Sequence, residues 1–122
     1  MSHPPKNLDT LSVLITDALF TNGGPHITYA NQTFCDMTGY SLEELLGKSP
    51  RILQGELTDS AVIDRLRESL QNEEYFIGST VNYRKDGKPY EVEWNITPVL
   101  SESGKVESFI SIQQDLSEIK KV

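Results

Sequence analysis

Tyr29-Ala30-Asn31-Gln32-Thr33-Phe34-Cys35-Asp36-Met37-Thr38-Gly39-Tyr40-Ser41-Leu42-Glu43-Glu44-Leu45-Leu46-Gly47 turns a strand into two short helices without a linker between them. Residues 26–31 form a short β-rich run, and Asn31 is a residue type whose side chain accepts from the free N–H groups of a helix start. The helix is expected to stop at Gly39, because glycine takes the left-handed closing conformation without a Cβ penalty. Ser41-Leu42-Glu43-Glu44 then has the spacing of a capping box, and Gly47 is placed to end the second helix. Each helix has room for about two turns.

Outward from this block the punctuation is clear. Upstream, residues 11–17 are a second β-rich run, and Thr21-Asn22-Gly23-Gly24-Pro25 between the two runs is a strong turn signal, so the chain is expected to open on a hairpin. Downstream, residues 59–71 read as a longer helix with Thr58 as its cap and Val62, Ile63, Leu66 and Leu70 on one face. Three strand-like runs follow, 75–84, 90–100 and 106–114, joined by the turns Lys85-Asp86-Gly87-Lys88 and Ser101-Glu102-Ser103-Gly104-Lys105. Residues 115–122 look like the first turn of another helix. Strand, strand, short helices, helix and three strands predict an antiparallel sheet with the helices on one face, an α+β architecture.

Composition narrows the function classes. A chain of 122 residues fits one domain with a single core, and an apolar fraction of 37% argues against disorder. Eleven Lys and Arg against 18 Asp and Glu leave a net charge of −7, which repels phosphate backbones and anionic lipid, so nucleic acid and membrane are not expected partners. The N-terminus lacks the basic start and apolar run of a secretory signal, which makes the cytoplasm the expected location. Cys35 is the single cysteine and is read as a small buried hydrophobe, with no disulfide and no cysteine-based zinc site. His3 in the terminus and His26 at the turn-to-strand junction lack partners for a metal site or a catalytic dyad. With no phosphate-binding glycine loop, nucleophile elbow or metal-ligand cluster, an enzyme is not expected.

Tyr29 to Gly47, with Asn82-Tyr83-Arg84-Lys85-Asp86-Gly87 and Gln113-Gln114-Asp115-Leu116-Ser117, resembles the landmarks of a PAS domain over nearly the whole chain. Gly47-Lys48-Ser49-Pro50-Arg51-Ile52-Leu53-Gln54-Gly55 further resembles the flavin-binding signature of light-oxygen-voltage (LOV) domains, with Pro50 where that signature has its reactive cysteine. The resemblance implies a five-stranded antiparallel sheet with short helices packed on one face. It implies an N-terminal extension at 1–10, a sensor domain at 11–116 and the start of a connecting helix at 117–122.

The resemblance also implies a site. Arg51 and Arg67 match the arginines that grip a flavin's terminal phosphate, a task suited to a planar guanidinium fork. Gln54 matches the glutamine beside the phosphate and ribityl chain, Asn82 an asparagine on the pyrimidine edge, and Gln113 the glutamine near the ring's central edge. Ser49 and Val92 stand where the family has further asparagines, and Thr16, Trp94 and Ile96 complete the expected lining. Strand alternation agrees: Thr80, Asn82, Val92, Trp94 and Ile96 share one parity, and Phe109, Ser111 and Gln113 another, as inward faces with a few polar groups would. The implied cofactor is FMN, with FAD also open, held without a cysteinyl adduct because Pro50 has no sulfur. The expected function is signalling of flavin redox or photoreduction state, in a homodimer and with a fused or separate output domain. The alternative is a flavin-free PAS module for dimerisation or for another small ligand.

Overall fold

The computed structural model describes residues 11–119. The expected extension at 1–10, with His3, and the last residues of the connecting segment, 120–122, lie outside the described residues. Five strands form one antiparallel sheet: β1 (Ser12–Asp17), β2 (Ile27–Ala30), β3 (Phe76–Tyr83), β4 (Pro89–Leu100) and β5 (Val106–Asp115). Their spatial order is β2-β1-β5-β4-β3, so the first and last strands are neighbours at the centre. The helices α1 (Gln32–Thr38), α2 (Leu42–Leu45) and α3 (Ser60–Gln71) and a 3-10 turn (Pro50–Leu53) fill the connection from β2 to β3, and α4 (Leu116–Ile119) follows β5 directly. This is the expected α+β fold, opening hairpin included.

Local chemistry accounts for the helix ends. Asn31 Oδ1 accepts from Phe34 N and also from Val13 N, so one side chain caps α1 and ties it to β1. Gly39 closes α1 at a φ of 83°, where a Cβ would be strained. Ser41 and Glu44 form the expected capping box on α2. The expected cap of α3 is corrected: Asp59, not Thr58, accepts from Ala61 N. Thr58 is drawn off because its hydroxyl donates to Val81 O at 2.6 Å and accepts from Gly55 N at 2.9 Å, pinning the loop to β3. Asp59→Ala is accordingly expected to cost about 1 kcal/mol in urea unfolding; an unchanged midpoint would mean the cap contributes nothing.

The core has two parts beneath one sheet face. Leu14, Ile27, Ala30, Phe34, Cys35, Leu45 and Leu53 pack together under β1 and β2. Ile63, Phe76, Tyr90, Val92, Trp94, Ile96 and Phe109 pack under β3, β4 and β5. Cys35 is buried as expected, and burial pushes its thiol up from the ordinary value. The strand parity read from the sequence holds, since Thr80, Asn82, Val92, Trp94, Ile96, Phe109, Ser111 and Gln113 are all buried.

Candidate ligand cavity

Where the two core clusters meet, side chains leave a cavity of about 160 Å³ open to the centre of a water molecule. At ~10–15 Å³ per water on that measure, it has room for an organic ring system. Leu14 and Thr16 of β1, Asn82 of β3, Trp94 and Ile96 of β4, and Phe109, Ser111 and Gln113 of β5 form the sheet wall. Facing it are Ser49, Pro50, Arg51, Leu53 and Gln54 from the 3-10 turn and its flanks, and Ile63, Leu66, Arg67, Leu70 and Gln71 from α3. These α3 positions recur at i, i+3, i+4, i+7 and i+8, one helix face.

The 3-10 turn has local causes. Ser49 Oγ accepts from Arg51 N at 3.2 Å, and Pro50 occupies the first helical position, where its fixed φ fits and a missing N–H costs nothing. Leu53, 1% exposed, anchors the turn in the first core cluster and leaves Arg51 exposed beside the cavity. Just beyond, Gly55 is required by close approach: a Cβ there would lie 2.3 Å from the Tyr83 ring. Arg67 is exposed and loosely paired with Asp64 at 3.5 Å.

Of the residues expected at the site, Thr16, Ser49, Arg51, Gln54, Arg67, Asn82, Trp94, Ile96 and Gln113 line this one cavity. Val92 does not. It is fully buried in the second core cluster, in register with Thr80 and Asp115, and serves as packing. Sequence reasoning missed Phe20, Gly24 and Pro25, which reach the cavity from the β1–β2 loop. Phe20 does so by packing edge-on against Phe109, at 6.2 Å between ring centres. A turn signal gives no hint of such a return.

Two polar atoms in the wall are left over. Asn82 Oδ1 and Gln113 Oε1 are buried and have no hydrogen-bond partner, and an unmet buried acceptor costs about 1–3 kcal/mol. The Tyr90 hydroxyl, across the β3–β4 register from Asn82, is buried too, and burial pushes it up to about 12 against the pull of Asn82 and Arg84. Arg84 lies 4.3 Å over the Tyr90 ring and donates to Met37 O at 2.6 Å and to Asp115 Oδ2 at 2.7 Å. Asp115 Oδ1 accepts from Ser117 N, so the residue clamped by Arg84 also bonds the first turn of α4. Burial raises the Asp115 carboxyl, but the bonds from Arg84 and Ser117 outweigh it and the net direction is down.

The loop that carries Phe20 is held by His26. Its Nδ1 lies 3.1 Å from Asp17 Oδ2 and its Nε2 3.0 Å from Asn22 O. A carbonyl only accepts, and so does a carboxylate, so the doubly protonated ring satisfies both partners. The Asn22 carbonyl first, and Asp17 next, raise His26 above its ordinary 6.5. Burial pushes Asp17 up, but bonds from the His26 and Leu19 N–H groups and the His26 ring bring it below its ordinary 3.8. His26 therefore adds stability that is full below 6.5 and lost as pH rises through its raised value. The Asp17 part is present above 3.8 and lost as pH falls through its lowered value. Asp17→Asn is expected to move the His26 titration, followed by NMR, down toward 6.5; an unmoved titration would break the assignment.

The pattern that defines the PAS domain matches residues 12–118. The chain belongs to the PAS family. This PAS domain is 39% identical over 93 residues to the blue-light-activated histidine kinase 1 of Erythrobacter litoralis, covering 76% of this chain and 26% of the kinase. It is 42% identical over 94 residues to phototropin-2 of Oryza sativa subsp. japonica, covering 75% of this chain and 10% of that protein. Against the nitrogen fixation regulatory protein of Klebsiella pneumoniae it is 37% identical over 97 residues, covering 80% and 20%. The PAS domain thus spans about a quarter or less of these relatives. Among solved structures, one presented as "Flavin Analogue Sheds Light on Light-Oxygen-Voltage Domain Mechanism" superposes with a TM-score of 0.82 at 32% identity, covering 90% of this chain and 80% of that one. The PAS domain of the fruit-fly ELK potassium channel superposes with a TM-score of 0.81 at 25% identity, covering 90% and 89%. Its similar proteins therefore include LOV domains as well as other PAS domains. Among the described residues no helix is long and apolar enough to cross a membrane.

Proposed function

We propose that this PAS domain is of the LOV type, holds a flavin noncovalently, and signals the flavin's redox or photoreduced state without a bond from cysteine to the ring. The observation that carries this reading is the mixed lining of the cavity. A wall of Leu14, Trp94, Ile96 and Phe109 suits a flat apolar ring, and the Asn82 and Gln113 amides, each with an oxygen left unpaired, suit the donors and acceptors on its edge. Arg51 and Arg67, exposed and both lining the cavity, suit a terminal phosphate, which favours FMN; FAD is the alternative within the same reading. Gln54, Ser49 and Thr16 supply further polar contacts. A bound flavin supplies reversible electron and proton uptake and absorbs blue light.

The chain's own residues define what that chemistry can become. Pro50 has neither thiol nor backbone N–H, and Cys35 is not among the cavity-lining residues. Trp94 is the single tryptophan, is 5% exposed, and brings a readily oxidised indole to the cavity. Gln113 is on the strand that continues through Gln114 and Asp115 into α4, so a change in its hydrogen bonding acts on a segment that Arg84 fixes. Residues 11–116 are the sensor in this reading, with an extension at 1–10 and a connecting helix starting at 117–122. A homodimer, a fused or separate output domain, a cytoplasmic location and the absence of catalysis of its own belong to the same proposal.

Mass spectrometry of small molecules released on denaturation tests it, with FMN the expected mass. A protein that contains no flavin and takes none up when FMN is titrated would leave the flavin-free PAS module instead. In the loaded protein, Trp94→Phe keeps an aromatic wall and removes the oxidisable indole. The fluorescence lifetime of bound flavin is expected to lengthen, with little change in affinity; an unchanged lifetime would reduce Trp94 to packing.

A further inference from the structure

The loop that joins β1 to β2 contributes Phe20, Gly24 and Pro25 to the cavity wall. This side of the wall lies at the surface, with Phe20 39% exposed and its neighbour Leu19 59% exposed. Two sets of bonds hold it. At the base, Asp17 Oδ1 accepts from the main-chain N–H groups of Leu19 at 3.2 Å and His26 at 2.8 Å, bonds that no titration of the imidazole removes. At the tip, Gly24 N donates to Thr21 O at 3.1 Å, and the Asn22 carbonyl lies 3.0 Å from His26 Nε2. Asn22 has a φ of 55°, a left-handed conformation that non-glycine residues seldom adopt, so the tip depends on the contacts that hold it there.

The imidazole is the link between the tip and the start of β2. With both nitrogens protonated it donates to the Asp17 carboxylate and to the Asn22 carbonyl together. A neutral ring has one N–H. The carboxylate is the stronger partner, so the hydrogen stays on Nδ1 and the Nε2 lone pair is left against the Asn22 carbonyl, acceptor against acceptor. The lost proton passes to solvent. Among the charged groups around the ring, Asp17 of β1 is in direct contact. Residues 18–25 carry no charge. From β5, Ser108 is in register with Asp17 and is preceded by the exposed Glu107, and Lys48, whose carbonyl accepts from Ile27 N, has an exposed side chain.

We propose that the β1–β2 loop is a door to the cavity and that the His26 ring is its latch, fastened when both ring nitrogens carry a proton and released when one is lost. The base stays tied through Asp17, and the tip, with Phe20 and Gly24 on either side of it, is the part that swings. Protonation thus controls how fast an occupant enters and leaves. The latch belongs to the cavity and holds for any occupant that passes this door.

Amide exchange at Gly24 in the empty protein, expressed as protection relative to an unstructured peptide at the same pH, reports the tip. Protection is expected to fall roughly twofold to tenfold as pH rises through the His26 titration followed by NMR. His26→Gln keeps an amide donor for Asn22 and does not titrate, so its protection is expected to show no step. His26→Phe is expected to be unlatched at every pH. Riboflavin has no phosphate to titrate, and its release from the native protein is expected to accelerate by a similar factor over the same pH interval and to be pH-independent in His26→Gln. Protection at Gly24 that stays level across the His26 titration, or a step that persists in His26→Gln, would overturn the latch. A step in protection with no change in riboflavin release would show that the occupant leaves by another route and would overturn the door. If neither riboflavin nor FMN binds, the flavin reading falls, and protection at Gly24 still decides the latch.

Discussion

Replacing Arg51 and Arg67 together with Ala is expected to weaken FMN binding by about 2–4 kcal/mol, roughly 30-fold to 1,000-fold. A charge-assisted hydrogen bond contributes about 1.5–3 kcal/mol, and two would together reach about 3–6 kcal/mol if both were dry. They are not: both arginines are exposed, so water screens their hold on a phosphate. Arg67 must also leave Asp64, but an exposed pair at 3.5 Å holds it weakly. Quenching of Trp94 fluorescence on FMN addition gives the affinity, since the single tryptophan lines the cavity. Each single replacement is expected to account for about half the loss. Riboflavin, which lacks the phosphate, should bind the native and doubly replaced proteins alike, and an unchanged FMN affinity in the double variant would place the phosphate elsewhere.

Phe34→Ala is expected to destabilise the fold by about 3–5 kcal/mol. Phe34 is completely buried, pressed by α1 among Leu14, Ile27, Ala30, Leu45 and Leu53. Truncation removes the apolar transfer energy and leaves a void that five separate elements would have to move to fill. Leu53 belongs to this cluster and anchors the turn that carries Arg51, so loosening the packing is expected to weaken FMN binding as well. Urea unfolding should give a lower midpoint with an unchanged slope. A loss under ~1 kcal/mol would mean that the surroundings collapse into the vacated space.

The fold was legible because strand, cap and turn signals agreed. Asn31, Gly39 and the Ser41–Glu44 box act locally, through bonds spanning three or four residues, and such signals survive without knowledge of the rest of the chain. Thr58 failed as a cap because its hydroxyl was claimed by Val81, 23 residues away, a competition invisible in one dimension. The sheet wall of the cavity was legible for the same reason as the strands, since period-two alternation puts Asn82, Trp94, Ile96 and Gln113 on one face. Val92 shares that parity but not the cavity, because parity gives the face and not the depth along the strand at which packing closes. Phe20, Gly24 and Pro25 were not legible as wall residues: their loop is folded back by the His26 contacts with Asp17 and Asn22. Ser111 was placed on the inward face by its parity with Gln113, though only the geometry gives the bond between them.

The central pairing of β1 with β5 has a consequence for how the site comes into being. Ser12 is in register with Gln113, about a hundred residues later in the chain. A contact of such separation carries a large loop-closure cost and forms late compared with hairpins such as β3–β4. At ~5–20 residues per second, a ribosome produces β1 several seconds before its partner. The cavity therefore has no Phe109, Ser111 or Gln113 until the final strand is inserted between two strands that already exist. A ligand needing that wall cannot template the earlier steps of folding, and its uptake marks the moment at which the nascent sheet becomes continuous.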